Sequence, residues 1–252
     1  MTEQPVVSII MPSYNAEQYI AESIQSVIAQ TFPGWELVIT DDRSSDNTPA
    51  IAQSFMDQDQ RIRFQVAETH SGIAGTRNQC IARAKGRYIA FLDNDDLWVP
   101  EKLEKQLRFM KEHDYSFCYS AYELMKEDGT PKGKIIKTAG VIDYNKYLRN
   151  TIIGSGTIML DREKTGPLVM PDNATSDDMA LWCRILKKGH KAYPINEVLM
   201  KYRVRNNSAS ANKWKAAHDV WRVDRKQEQL SVFKSLTCFV GYAFNAVVKR
   251  LF

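Results

Sequence analysis

Tyr88-Ile89-Ala90-Phe91-Leu92-Asp93-Asn94-Asp95-Asp96 decides how this 252-residue chain is read. An apolar run of strand length, of the kind covered on both faces, passes directly into three carboxylates within four positions. Carboxylates crowded at a half-buried strand end repel one another. A hard divalent cation, Mg2+ or Mn2+, resolves that conflict because it takes oxygen ligands and shares them with substrate phosphates. The alternative is a solvated acidic turn in which Asp95 or Asp96 caps the following helix.

Working outward, Val6 to Met11 is apolar apart from Ser8, and Leu37-Val38-Ile39 and Phe64 to Val66 read as further strands. Between them Ile20, Ile24, Val27 and Ile28 recur at helical spacing, and Ser45 to Thr48 supplies caps for a helix through Ala50, Ile51 and Phe55. A helix is predicted over Ile73 to Lys85 with Gly86 as its stop, and Pro100 opens another carrying Leu103, Leu107 and Met110 on one face. Repeated strand–helix units predict an α/β fold, a mostly parallel Rossmann-like sheet flanked by helices, with ligands beyond the carboxyl ends of its strands. Three polar clusters fall at those ends: Ser13-Tyr14-Asn15, Asp41-Asp42 and Asp93 to Asp96.

The second half is less regular. Phe117 to Leu124 and Lys134 to Ile136 read as strands around an Asp128-Gly129 turn, Thr157 to Leu160 and Val198 to Val204 as strands, and Asp178 to Lys188 as a helix with Leu181, Trp182 and Ile185 inward. Gly154-Ser155-Gly156 either lets a ligand approach the backbone or makes a tight bend. From Lys213 onward the pattern is helical. The expected organisation is a domain over residues 1–212, with a donor half (1–110) and an acceptor half (111–212), and a C-terminal helical extension over 213–252.

Composition, at 44% apolar and 25% charged, excludes disordered and fibrous classes, and a net charge of +4 gives no ground for a nucleic-acid partner. Cys80, Cys118, Cys183 and Cys238 lie far apart among apolar neighbours, which predicts buried free thiols in a reducing compartment. Met1 to Pro5 is too short and polar to be a signal peptide, and no stretch reaches the roughly 18 apolar residues of a spanning helix. The tail from Phe233 to Phe252 mixes Phe239, Val240, Tyr242, Phe244, Val247 and Val248 with Lys234, Lys249 and Arg250. It suits either an interfacial helix on an anionic membrane or a helix packed on protein. The expected location is the cytoplasm, at the inner face of the cytoplasmic membrane.

After the second strand, a carboxylate of Asp41-Asp42 can accept from the ring N–H of a pyrimidine, with Pro12 and Tyr14 as a flat wall for the base. An Asx turn is the plainer explanation of Asp41, and tyrosines such as Tyr14 often only pack.

Val7 to Asn15, Leu37 to Thr48, Gly72 to Asn78 and Phe91 to Asp96 resemble, in order, the motifs of family 2 glycosyltransferases. The likeness is close over about the first 110 residues and looser to about residue 210. It implies a GT-A fold and inverting transfer from a nucleoside-diphosphate sugar, here a UDP-sugar, in surface-polysaccharide assembly on a saccharide acceptor carried by a lipid. At matching positions Pro12, Tyr14 and Asp42 hold the base, Asp93 the nucleotide sugar and Asp95 the metal, Mg2+ or Mn2+. Arg77 matches a basic position near the donor, within reach of the diphosphate, although an arginine on a helix face is more often solvated or salt-bridged. An acceptor hydroxyl needs a carboxylate to take its proton. Ser176-Asp177-Asp178 resembles the family's acidic pair, usually Glu-Asp, making Asp178 the base and Asp177 an acceptor contact; Asp177 also suits helix capping.

One departure stands out. Where many relatives have Tyr-Arg-x-His, this chain has Tyr202-Arg203-Val204-Arg205, and Arg205 cannot ligate a metal but can neutralise a diphosphate. None of His70, His113, His190 and His218 is expected to act in catalysis. Two competing readings have distinct requirements. A nucleotidyltransferase needs a glycine-rich basic loop after the first strand, which Met11 to Ala16 lacks, and a non-catalytic sugar-nucleotide-binding module needs no carboxylate at 178.

Overall fold

The computed structural model describes residues 4–171, 177–205 and 213–251. Ser176 and Phe252 therefore lie outside the described residues, as do the side chains of Val247, Val248, Lys249 and Arg250. The first elements run β1 (Val7–Ser13), α1 (Ile20–Ile28), β2 (Trp35–Asp41), α2 (Thr48–Gln58), β3 (Ile62–Val66), α3 (Gly72–Arg83), β4 (Tyr88–Phe91), β5 (Leu97–Trp98) and α4 (Lys102–Glu112). They are followed by β6 (Phe117–Met125), β7 (Pro131–Ile136), α5 (Tyr144–Arg149), β8 (Ile158–Asp161), α6 (Arg162–Thr165), α7 (Asp177–Lys187) and β9 (Tyr193–Arg203). Helices α8 (Lys213–Arg222) and α9 (Val232–Leu251) close the chain, joined through a π-helical turn over Val223–Gln227.

One sheet has the order β3-β2-β1-β4-β8-β6-β9-β5, with β7 paired to β6. Strands β3, β2, β1 and β4 are parallel, as the strand–helix pattern predicts. Beyond β4 the sheet is mixed: β8 is antiparallel to β4 and β6, β9 runs parallel to β6, and β5 antiparallel to β9. "Mostly parallel" therefore describes only the half of the sheet built from β3, β2, β1 and β4.

The uninterrupted apolar runs have a direct cause. Alternate residues of β1 and β4 enter opposite layers: Ile10, Ile89 and Phe91 pack with α7, whereas Ile9, Met11 and Ala90 pack with α1 and α4. All four cysteines are free and buried. The N-cap of α2, Asn47, makes no side-chain cap bond; Asp46 before it accepts the Thr48 N–H at 3.0 Å.

Two local expectations are corrected. Helix α3 ends at Arg83 with Ala84 already extended, so Gly86 is not its stop. Gly86 is small because it lies against β1: its N–H donates to Ser8 Oγ at 2.8 Å, and a Cβ there would sit 2.7 Å from the Ser8 backbone nitrogen. Asp96 does not cap the helix after Pro100, which begins behind Glu101; Asp96 is buried and accepts the Arg203 N–H at 2.8 Å, tying the acidic loop to β9.

Candidate active site

The carboxyl ends of β1, β2 and β4 open into a cleft of about 720 Å³. Pro12, Tyr14, Asp42, Arg77, Asp93, Asp95, Asp177, Asp178 and Arg205 all line it, so every residue singled out for chemistry reaches one space.

At one end is a flat, partly exposed wall. Tyr14 is 52% exposed, and its ring lies 5.2 Å from that of His70. His70 also sets Nδ1 3.0 Å from an Asp42 carboxylate oxygen. The two aspartates after β2 part company here. Asp41 turns inward to Ser13 Oγ and to the Ser44 N–H, whereas Asp42 faces the cleft. Asp42 accepts the N–H groups of Ser71 and Gly72 at 2.8 Å each, anchoring the start of α3. His70 is a site residue that sequence reasoning missed. The one signal was its place directly before the Gly72–Asn78 motif.

At the centre Arg77 bridges two segments. Its Nη2 donates to Asp93 Oδ1 at 2.6 Å and its Nη1 to Asp177 Oδ2 at 3.1 Å. Burial alone would lower the pKa of this guanidinium, but the charges of Asp93, Asp177 and Asp178 hold it firmly protonated. With both Nη groups engaged by carboxylates, Arg77 positions Asp93 against the head of α7. Ser155 Oγ reaches Asp93 Oδ2 at 3.4 Å, so the Gly154-Ser155-Gly156 turn does meet the site. That turn is held from beneath, since Trp98 Nε1 donates to the Gly156 carbonyl at 3.0 Å and Gln106 Nε2 to that of Thr157 at 2.9 Å.

Asp178, half-buried, has its carboxyl pKa pushed up to about 6 by burial and then by the charge of Asp177, against the opposing pull of Arg77. One oxygen accepts the Met179 N–H at 2.7 Å. Asp177, offered above as a cap, accepts from Arg77 through Oδ2.

The acidic loop carries the clearest electrostatic signature. Burial and the neighbouring charge of Asp93 raise the pKa of Asp95, and burial with Asp95 and Asp93 raises that of Asp96 well above the carboxylate range. Asp96 Oδ2 is buried with no hydrogen-bond partner among the described residues. Arg203 grips the loop, donating from Nε to the Asp95 carbonyl at 2.8 Å and from Nη2 to Glu22 at 2.6 Å. Arg205 pairs through Nη2 with Asp95 Oδ2 at 2.6 Å. Counting α7 and Glu22, six carboxyl groups meet three guanidinium groups, an acidic balance that a divalent cation suits. Among the described residues no set of three or more His, Cys, Asp or Glu side chains forms a cage. An ion held by one carboxylate and completed by substrate phosphate and water needs no such cage. Asp95 fits that role.

Comparison with known proteins agrees with this geometry. The sequence model described as Glycosyl transferase family 2 matches residues 8–173. A protein of Bacillus subtilis (strain 168) named as a teichuronic acid biosynthesis glycosyltransferase, TuaG, is 50% identical over 248 residues, 98% of each chain. The Escherichia coli UDP-Glc:alpha-D-GlcNAc-diphosphoundecaprenol beta-1,3-glucosyltransferase WfgD is 42% identical over 219 residues, covering 86% of this chain and 85% of its own. Among solved structures, S. aureus TarS 1-349 in complex with UDP-GlcNAc superposes with a TM-score of 0.72 at 19% identity, covering 95% of this chain and 71% of that one, a likeness of fold. Ordered motifs, sheet and relatives of matching length converge: the chain belongs to glycosyl transferase family 2.

Proposed function

We propose that the chain transfers a sugar from a UDP-sugar to a hydroxyl of a saccharide linked through diphosphate to a lipid, with inversion, during surface-polysaccharide assembly. The observation that carries this reading is the single cleft in which an aromatic wall with Asp42, an acidic loop and the α7 carboxylates face one space. Pro12, Tyr14 and His70 flank the uracil and Asp42 accepts its ring N–H. Asp93, oriented by Arg77 and Ser155, holds the donor sugar. Asp95 would hold Mg2+ or Mn2+, which when bound neutralises charge on the departing diphosphate. Asp178 takes the proton of the acceptor hydroxyl as it attacks, and Asp177 borders the acceptor. The WfgD name specifies a UDP-Glc donor and a diphosphoundecaprenol acceptor for that relative, which supports the same classes here.

No described helix is long and apolar enough to cross a membrane. A lipid-borne acceptor places the work at a membrane surface, and the C-terminal extension (213–252) is the segment proposed to rest on the inner face of the cytoplasmic membrane. Metal-dependent UDP release, screened over UDP-sugars with and without diphospholipid-linked saccharides, tests the reading. Release stimulated by acceptor is expected, and its absence with every donor and acceptor pair overturns the assignment.

A further inference from the structure

Arg205 rests on Asp95, the carboxylate proposed to bind the metal. Resting on that proposed reading of the cleft, we infer that Arg205 is a resident counter-cation of Asp95 that exchanges with the divalent ion: it leaves Asp95 for the nucleotide diphosphate when metal and nucleotide arrive together.

Three observations carry this. First, the pair is short and partly sheltered, with Nη2 2.6 Å from Oδ2 and side chains 30% and 13% exposed. An ion bound to that oxygen and a guanidinium cannot share it without strong repulsion. Second, the resting position leaves Arg205 under-satisfied: its Nε is buried with no partner among the described residues, although a guanidinium offers five donors in a fork. A diphosphate accepts that fork in bidentate fashion, so nucleotide provides a better partner than Asp95 alone. Third, Arg205 follows a strand end that is already pinned. Arg203, two residues earlier, is locked to the Asp95 carbonyl, Glu127 and Glu22, so the backbone stays put while the Arg205 side chain swings. Its guanidinium carbon lies 5.4 Å from the Tyr19 ring, over the edge of the same cleft.

The consequence is thermodynamic coupling. Without nucleotide, a divalent ion must displace Arg205 and binds poorly; with nucleotide, the displaced cation is re-paired, so each ligand tightens the other by the same factor.

Mn2+ binding followed by electron paramagnetic resonance, with and without UDP, tests the exchange, together with UDP binding by calorimetry in saturating Mn2+. For Arg205→Gln we expect Mn2+ alone to bind about fivefold tighter than to the wild type, and UDP in saturating Mn2+ about fivefold weaker. The Mn2+–UDP coupling should shrink accordingly. Arg205→Lys, which keeps a cation beside Asp95, should hold Mn2+ alone near the wild-type level, and Asp95→Asn should bind it poorly whatever stands at 205. Unchanged or weaker Mn2+ binding by Arg205→Gln, in protein whose circular dichroism shows it folded, overturns the inference. Unchanged UDP binding in saturating Mn2+ overturns the transfer to diphosphate. Failure of the wild type to bind UDP under any condition instead strikes the proposed function, and the Mn2+-only comparison still reads the Arg205–Asp95 contact.

Discussion

At the scale of single residues, the site works by setting neighbouring carboxylates to different tasks. Asp93 is neutralised by Arg77, Asp95 by Arg205, and Asp96 is buried as a structural acceptor for β9. Asp178, like Asp96 and unlike Asp93 and Asp95, has no direct cationic partner among the described residues, and burial with Asp177 lifts its pKa to about 6. A base must be ionised to act, so kcat/KM is expected to be flat above about pH 6 and to fall tenfold per unit below it. The sign of a neighbour substitution follows from the causes. Asp177→Asn removes a negative charge that raises the Asp178 pKa, so the inflection should move to lower pH, and an upward shift or none contradicts the coupling. Asp178→Asn should bind UDP normally while transfer drops about a thousandfold; full residual transfer removes Asp178 from the base role. Which carboxylates were chemically active was only partly legible. The adjacency of Asp93 to Asp96 is visible in the chain, but the burial of Asp96 depends on an N–H of Arg203, more than a hundred positions away. His70 lies beyond local pattern for the same reason, since it gains meaning only beside Tyr14 and Asp42.

At the scale of elements, close approach of backbones sets the geometry from which the site loops project. The turn carrying Gly86 lies on β1, and β1 runs parallel to β4, whose end carries the acidic loop. A methyl group at 86 meets the Val7–Ser8 peptide group at 2.7–2.8 Å, and backbone cannot swing away as a flexible side chain can. Gly86→Ala is therefore expected to cost about 2 kcal/mol or more of stability, measured by urea unfolding, with the midpoint lowered and the slope unchanged. A cost below about 0.5 kcal/mol would show that the turn relaxes. The donor half was readable because its strands are buried on both faces and separated by amphipathic helices, so local pattern and global order coincide. The acceptor half was readable only as pieces. Short β5 and the insertion of β8 between β4 and β6 depend on antiparallel pairing between distant segments, which leaves no periodic signature. Gly129, with φ of +84°, is the exception, because its hairpin turn is local.

At the scale of the whole molecule, charge and apolar surface are unevenly placed. Residues 213–252 carry eight Lys or Arg against three Asp or Glu, whereas the whole chain is only +4, so the first 212 residues are slightly acidic. Helix α9 in this segment has two faces. Ser235 and Cys238 are buried, Gly241 lies against Arg149, and Asn245 Nδ2 donates to the Arg149 carbonyl at 3.1 Å, so one side is docked on α5. Phe233, Leu236, Val240 and Phe244 follow one another at three- and four-residue steps on the other side, each at least half exposed. The sequence left packing on protein and contact with a membrane as alternatives, and the docked face accounts for the first without using up the second. An apolar stripe in a basic segment matches an anionic lipid surface, where both terms add. Replacing Phe233, Val240 and Phe244 together by Ser should reduce co-sedimentation with phosphatidylglycerol-containing vesicles by about tenfold or more, since each buried side chain contributes on the order of 1 kcal/mol or more to partitioning. The residues lie far along the chain from the site groups, so UDP release with a water-soluble acceptor analogue should be retained. Raising salt should weaken vesicle binding of the wild type, because the charge term is screened. Undiminished binding by the triple variant would place the membrane contact elsewhere on the molecule, and loss of activity on the soluble acceptor would show that the stripe supports the fold instead.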